Sequence, residues 1–188
     1  ALYRSIALFV LNNKVSKTDE KAAEKLLPNI KIDIKCSEEN GQQIFLNGED
    51  VTDKIREPHM SMAASNVSAM GSVREFLFNL QRESTKKYNT IMDGRDIGTV
   101  VLPNADIKIY LTATSQERAR RRYTDFMENG NEIDYQTVLA DIEKRDYNDM
   151  NRKIAPLKKA KDAILLDTTT LSMEDTKNKI IEIIKEKL

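Results

Sequence analysis

The 188-residue chain has no tryptophan, one cysteine, one histidine, four prolines and six glycines, and only 6% of it is aromatic. A lone Cys36 excludes an intramolecular disulfide and a multi-cysteine zinc site, and fits a reducing compartment such as the cytoplasm. His59 is the sole histidine and follows Pro58 in a linker, so it reads as a surface or packing residue rather than a catalyst. No apolar run approaches the roughly 18 residues of a membrane-spanning helix, and no stretch has the pattern of a signal peptide. An excess of either charge sign is also lacking: 30 Lys+Arg balance 30 Asp+Glu. Without a global field the chain has no general attraction for nucleic acid or an anionic membrane, and few aromatics leave little for base stacking. Any anion site must therefore be local. The first residue is Ala1, which suggests a fragment or a processed chain.

What is present is an alternation of periods. Leu2, Ile6, Phe9, Val10 and Asn13 follow helical spacing, and a second helix through Ala22, Leu26 and Leu27 stops at Pro28. Ile30, Ile32, Ile34 and Cys36 then alternate with charged residues as in a half-buried strand. Gln43–Leu46 and Glu49–Val51 flank Asn47-Gly48, a hairpin pair, which makes a small antiparallel insert. Helical periodicity returns over 60–87 with a break near Met70-Gly71. Further on, strands are expected at Thr90–Met92, Ile107–Leu111 and Ala163–Asp167. Helices are expected from Ser115 to Asn129, from about Asp134, and from Ser172 through Leu188. Strands separated by helices imply a parallel sheet in an α/β fold.

Two places carry chemistry. The run Asp93-Gly94-Arg95-Asp96 follows the apolar Thr90–Met92 stretch, and ligands in open α/β sheets sit outside the carboxyl ends of strands. The second is a concentration of arginine: nine (74, 82, 95, 118, 120, 121, 122, 145 and 152) fall between residues 74 and 152, while most lysines lie elsewhere. Arginine suits planar, bidentate recognition of phosphate. Arg145, Asp149 and Arg152 share one helix face at i, i+4 and i+7, able either to hold a ribose and phosphate or to form an intrahelical ion pair. Arg118, Arg121 and Arg122 form another face, open to a ligand reading or to that of a solvated basic surface.

Read together, these pieces closely resemble bacterial cytidylate kinase, a P-loop nucleoside monophosphate kinase family. The resemblance rests on Leu2–Ala7, Asp93–Pro103, Glu117–Arg122, Arg145–Arg152 with Ala155-Pro156-Leu157, and Asp167–Ser172, and spans nearly the whole chain. It implies a parallel sheet flanked by helices, with residues 28–58 as the monophosphate-binding β insert and residues 115–133 as a helical lid, all in a single domain, 1–188. It also implies transfer of the γ-phosphoryl group of ATP, with Mg2+, to CMP and dCMP by a cytoplasmic monomer that binds neither nucleic acid nor membrane. By the same resemblance Arg4, Arg95 and Arg152 grip the acceptor phosphate, with Tyr3 beside Arg4. Arg145 and Asp149 hold the ribose, Ser65, Arg74 and Asp96 read the base, and Arg118, Arg121 and Arg122 close over the donor. Asp93 is a candidate to orient a Mg2+ shell through water, or Arg95.

One departure matters. The family opens with a strand and a Gly-rich loop ending in Gly-Lys-Ser or Gly-Lys-Thr, and no such motif occurs in this sequence. That loop supplies the backbone amides, lysine and hydroxyl that cradle the donor phosphates. The expectation is that the natural protein has this segment and that the 188 residues alone have negligible kinase activity. A non-catalytic CMP-binding protein and a nucleic-acid-binding module are the alternatives from other classes.

Overall fold

The computed structural model describes residues 1–39, 41–87 and 89–187, and within α4 the side chains of residues 84 and 87 lie outside the description. The chain divides into two compact units, residues 1–90 with 152–154, and residues 91–151 with 155–188.

In the first unit, α1 (Leu2–Asn12) presents Ile6, Ala7 and Val10 to the interior, all fully buried. Asp19 opens α2 (Glu20–Leu26) by accepting the Ala22 amide at 3.0 Å. Proline at position 28 then falls within a 3-10 turn, Leu27–Asn29, which ends the helical run. Strands β1 (Ile32–Ser37), β2 (Gly41–Leu46) and β3 (Glu49–Asp50) form an antiparallel sheet in that order. Asn47 and Gly48 both have positive φ, 50° and 88°, which is what a tight hairpin between right-twisted strands requires. The Asn47 side chain also accepts from the Lys31 amide at 2.7 Å and donates to the Asn29 carbonyl at 2.9 Å, tying the hairpin to the entry of β1. Helices α3 (Met60–Ser68) and α4 (Gly71–Lys87) follow, broken where the sequence predicts. At the start of α4, Gly71 lets Ile154 pack closely: a Cβ there would stand 3.3 Å from the Ile154 Cδ1. The core joins α1, α3 and α4 to the inner ends of β1 and β2, with Ile6, Met60, Val67, Val73 and Leu77 at its centre.

In the second unit, β4 (Ile109–Thr112) and β5 (Ile164–Asp167) pair in parallel, with Ile109 opposite Ile164 and Thr112 opposite Asp167. Helices α5 (Ser115–Glu128) and α6 (Tyr135–Asn151) pack around Ala119, Phe126 and Val138. The end of α5 is a Schellman closure, with Gly130 at φ 74° donating to Met127 and Asn131 to Phe126. Asp134 then starts α6 by accepting the Thr137 amide at 2.9 Å. Helix α7 (Met173–Lys187) opens on Ser172, whose hydroxyl accepts from the Asp175 amide at 3.0 Å and donates to its carboxylate.

Three expectations need correction. Thr90–Met92 is not a strand: it lacks regular structure and Ile91 is 96% exposed, because so short a stretch cannot form a strand without a ladder partner. The buried face of β1 ends early, since Ile30 and Ile32 are buried whereas Ile34 and Cys36 are exposed where the sheet runs past the core. The strand expected at Ile107–Leu111 is displaced to Ile109–Thr112. Leu188, expected to end the last helix, lies outside the described residues.

Candidate functional site

The Asp93–Asp96 turn leads into a π-helical turn, Ile97–Val101. The Asp96 carbonyl accepts from the amides of both Val100 and Val101, and the Ile97 carbonyl from Leu102 at 2.7 Å. Such wide turns are rare and recur at functional sites. Here the turn buries Asp96 to 5% exposure while Asp93 stays exposed. Gly94 is required for close approach: a Cβ there would lie 2.7 Å from the Ile97 Cγ1.

Within the second unit Arg95 and Arg145 converge on Asp149. The Arg95 Nε donates to the Asp149 Oδ2 at 3.0 Å, and the Arg145 Nε stands 3.8 Å from the same oxygen, one helical turn along α6. Asp149 is 3% exposed, and its own carbonyl accepts from the Leu157 amide at 2.8 Å. Two guanidiniums therefore surround one buried carboxylate. The Arg145–Asp149 ion pair weighed from spacing is present, but the shorter link comes from Arg95, 54 residues away, which no local pattern signals.

The remaining acceptor candidates belong to the first unit. Arg4 on α1 donates from Nη1 to the Ile55 carbonyl at 2.9 Å and from Nη2 to the Ser61 hydroxyl at 3.0 Å. Arg74 on α4 is buried and donates to the Ser68 carbonyl at 3.1 Å, its guanidinium 5.8 Å from the Tyr3 ring centroid. Arg152 donates to the Ser68 hydroxyl at 3.2 Å. Ser65 is buried on α3 one turn earlier, where its carbonyl accepts from the Ser68 hydroxyl at 2.8 Å. Ser68 was not singled out from the sequence, where a serine in a helix carries no signal.

Arg118, Arg121 and Arg122, three of the four arginines of α5, are each engaged. Arg118 makes a fork-to-fork pair with Asp146 of α6 and donates to the Ala113 carbonyl at 3.1 Å. Arg121 donates to Glu117 at 2.8 Å and to the carbonyls of Thr168 and Leu171 in the loop after β5. Arg122 stacks over Phe126 at 4.7 Å, and burial pushes its guanidinium below its ordinary value, with Asp125 and Asp141 opposing. The guanidiniums of this face are oriented by partners while Arg118 and Arg121 stay 36% exposed. Glu117 organises part of it: hydrogen bonds from Arg120 and Arg121 hold its carboxyl down to about 2.

Among the described residues no group of three or more His, Cys, Asp or Glu is placed to hold a metal ion. The described residues do not form a metal cage. No helix among them is long and apolar enough to cross a membrane.

A family model described as cytidylate kinase matches residues 1–186. The cytidylate kinase of Caldicellulosiruptor bescii is 49% identical over 97% of this chain and 80% of its own length. That of Lactobacillus johnsonii is 48% identical over 100% of this chain and 81% of its own. A cytidylate kinase from a Geobacillus species is 46% identical over 100% of this chain and 84% of its own. A match of this length runs through both units and through every arginine described above, and on that ground the chain belongs to the cytidylate kinase family.

Proposed function

We propose that the protein transfers the γ-phosphoryl group of ATP to CMP, and to dCMP, giving ADP and the cytidine diphosphate. Membership of the family over residues 1–186 carries the reading. On that reading we assign acceptor binding to Tyr3, Arg4, Ser65, Arg74, Arg95, Asp96, Arg145, Asp149 and Arg152, and donor phosphates to Arg118, Arg121 and Arg122. The chemistry of these groups supports that division. Cytosine offers an amine donor at its 4 position and acceptors on its ring edge, so a carboxylate at Asp96 and a guanidinium at Arg74 complement it, whereas uracil would turn a carbonyl toward Asp96. An ionised Asp149 is acceptor-only and suits a ribose hydroxyl, while Arg95 beside it is left to meet phosphate.

Phosphoryl transfer is mostly positioning and electrostatic stabilisation. The α5 arginines suit that task because each guanidinium is already oriented by a carboxylate, carbonyl or aromatic ring, so the donor exchanges one acceptor for another instead of ordering a free side chain. Closure of residues 115–133 would exclude water as a competing acceptor. Mg2+ would arrive with ATP and screen its phosphates. The protein works as a cytoplasmic monomer, one kinase domain over residues 1–188 with 28–58 as the acceptor-binding excursion, and uses neither nucleic acid nor membrane.

Titration with CMP in a calorimeter tests the acceptor half: binding of CMP clearly tighter than UMP is expected, and absence of CMP binding would overturn the reading. ATP consumption with CMP tests transfer. The 188 residues, which contain no Gly-Lys-Ser or Gly-Lys-Thr, are expected to turn over negligibly. The same chain joined to a Gly-rich phosphate-binding segment should be active, and equal rates would sink this part.

A further inference from the structure

Ser68 closes α3, and three hydrogen bonds meet on it. Its hydroxyl donates to the Ser65 carbonyl at 2.8 Å and accepts from the Arg152 Nη1 at 3.2 Å, while its carbonyl accepts from the Arg74 Nη1 at 3.1 Å. The residue is 6% exposed. Because the single hydroxyl proton is committed to Ser65, the oxygen presents a lone pair to Arg152, and the role of each atom is fixed. Both guanidiniums also approach the last turn of a helix, where the carbonyl ends favour positive charge.

We infer that Ser68 is a positioning residue which sets the Arg152 guanidinium for the acceptor phosphate and ties it to the base-reading pair Ser65 and Arg74. The inference rests on the acceptor roles proposed above for those three residues. Arginine has many rotamers, and a bond to a buried hydroxyl removes much of that freedom before the nucleotide arrives, so the ordering cost of binding is smaller. Since one residue holds a phosphate ligand and a base ligand, displacement of either is transmitted to the other through a single side chain and peptide.

A double-mutant cycle on CMP binding tests this. Ser68→Ala removes the hydroxyl but leaves the carbonyl that Arg74 uses, and alanine is smaller and a better helix former, so the fold should persist. Ordering one rotamer-rich side chain on binding costs about two- to tenfold in affinity. CMP should bind S68A up to about tenfold more weakly, with an unchanged far-UV spectrum and a modestly lowered melting temperature, whereas Ser68→Thr, which keeps a hydroxyl, should stay near wild type. In an Arg152→Ala background S68A should cost almost nothing further. Full additivity of the two substitutions, or undiminished CMP binding by S68A, would overturn the inference while leaving the acceptor reading intact. Undiminished CMP binding by R152A alone would instead overturn the phosphate role of Arg152.

Discussion

Asp96 is the carboxylate proposed above to read the base. It is 5% exposed at the mouth of a π-helical turn whose amides bond its own carbonyl, so the carboxylate's backbone is fixed before a ligand arrives. Replacing it with asparagine should weaken CMP and relatively favour UMP, narrowing the difference between them by about 1–3 kcal/mol. Competition calorimetry with the two nucleotides would check this, and an unchanged ratio would remove Asp96 from base recognition. Gly94 is the second such position. Alanine there would push the Ile97 side chain off the turn, and a lowered melting temperature together with weaker CMP binding is the expected outcome. Asp96 and Arg95 stand out in the sequence as candidates because carboxylates and an arginine cluster there with glycine beside an apolar stretch. The partners of those residues do not. Arg95 meets Asp149 across 54 residues and Arg118 meets Asp146 across 28, and such pairings arise from packing, which leaves no local period to read.

Elements were legible where a local signal sets them and illegible where a neighbour does. Asn47-Gly48, Gly130 and the Ser172–Asp175 pair each impose a backbone geometry alone, and the hairpin, the end of α5 and the start of α7 fall where expected. Thr90–Met92 had only apolar character, and without a pairing strand it stays irregular. The caps give a direct test: Asp134→Ala removes the acceptor for the Thr137 amide and should destabilise the protein by about 1 kcal/mol in urea unfolding. Helix α5 also carries a pH signature. Glu117 ionises near 2 in the folded chain, chiefly through Arg120 and then Arg121, against 4.5 ordinarily. Because the folded value is the lower one, its stabilising contribution is complete above about 4.5 and disappears as the pH falls through about 2. Acid unfolding of Glu117→Gln should therefore differ from wild type at neutral pH and converge with it at the acid end; parallel curves throughout would count against the linkage. High salt should shrink the neutral-pH difference, because the pair is exposed to solvent.

At the scale of the whole molecule the two units are unequally built. The first has a broad interior joining three helices to a sheet, with Ile6, Met60 and Leu77 fully buried. The second relies on Ala119, Phe126 and Val138, leaves Leu111 and Leu165 more than half exposed, and buries no described residue of α7. Leu77→Ala should cost about 2–5 kcal/mol, since the cavity it leaves is enclosed on all sides. Backbone amides of α1, α3 and α4 should exchange with deuterium more slowly than those of α5, α6 and α7, and uniform protection across both units would contradict the asymmetry. The thinner core has a consequence for how long a molecule survives. Cleavage by a protease follows the population of the opened state, so the first cuts are expected in the second unit. That unit holds the arginines proposed to meet the donor phosphates, and a bound nucleotide would suppress its opening by mass action. The protease resistance of the second unit in these 188 residues should then rise with the amount of bound nucleotide.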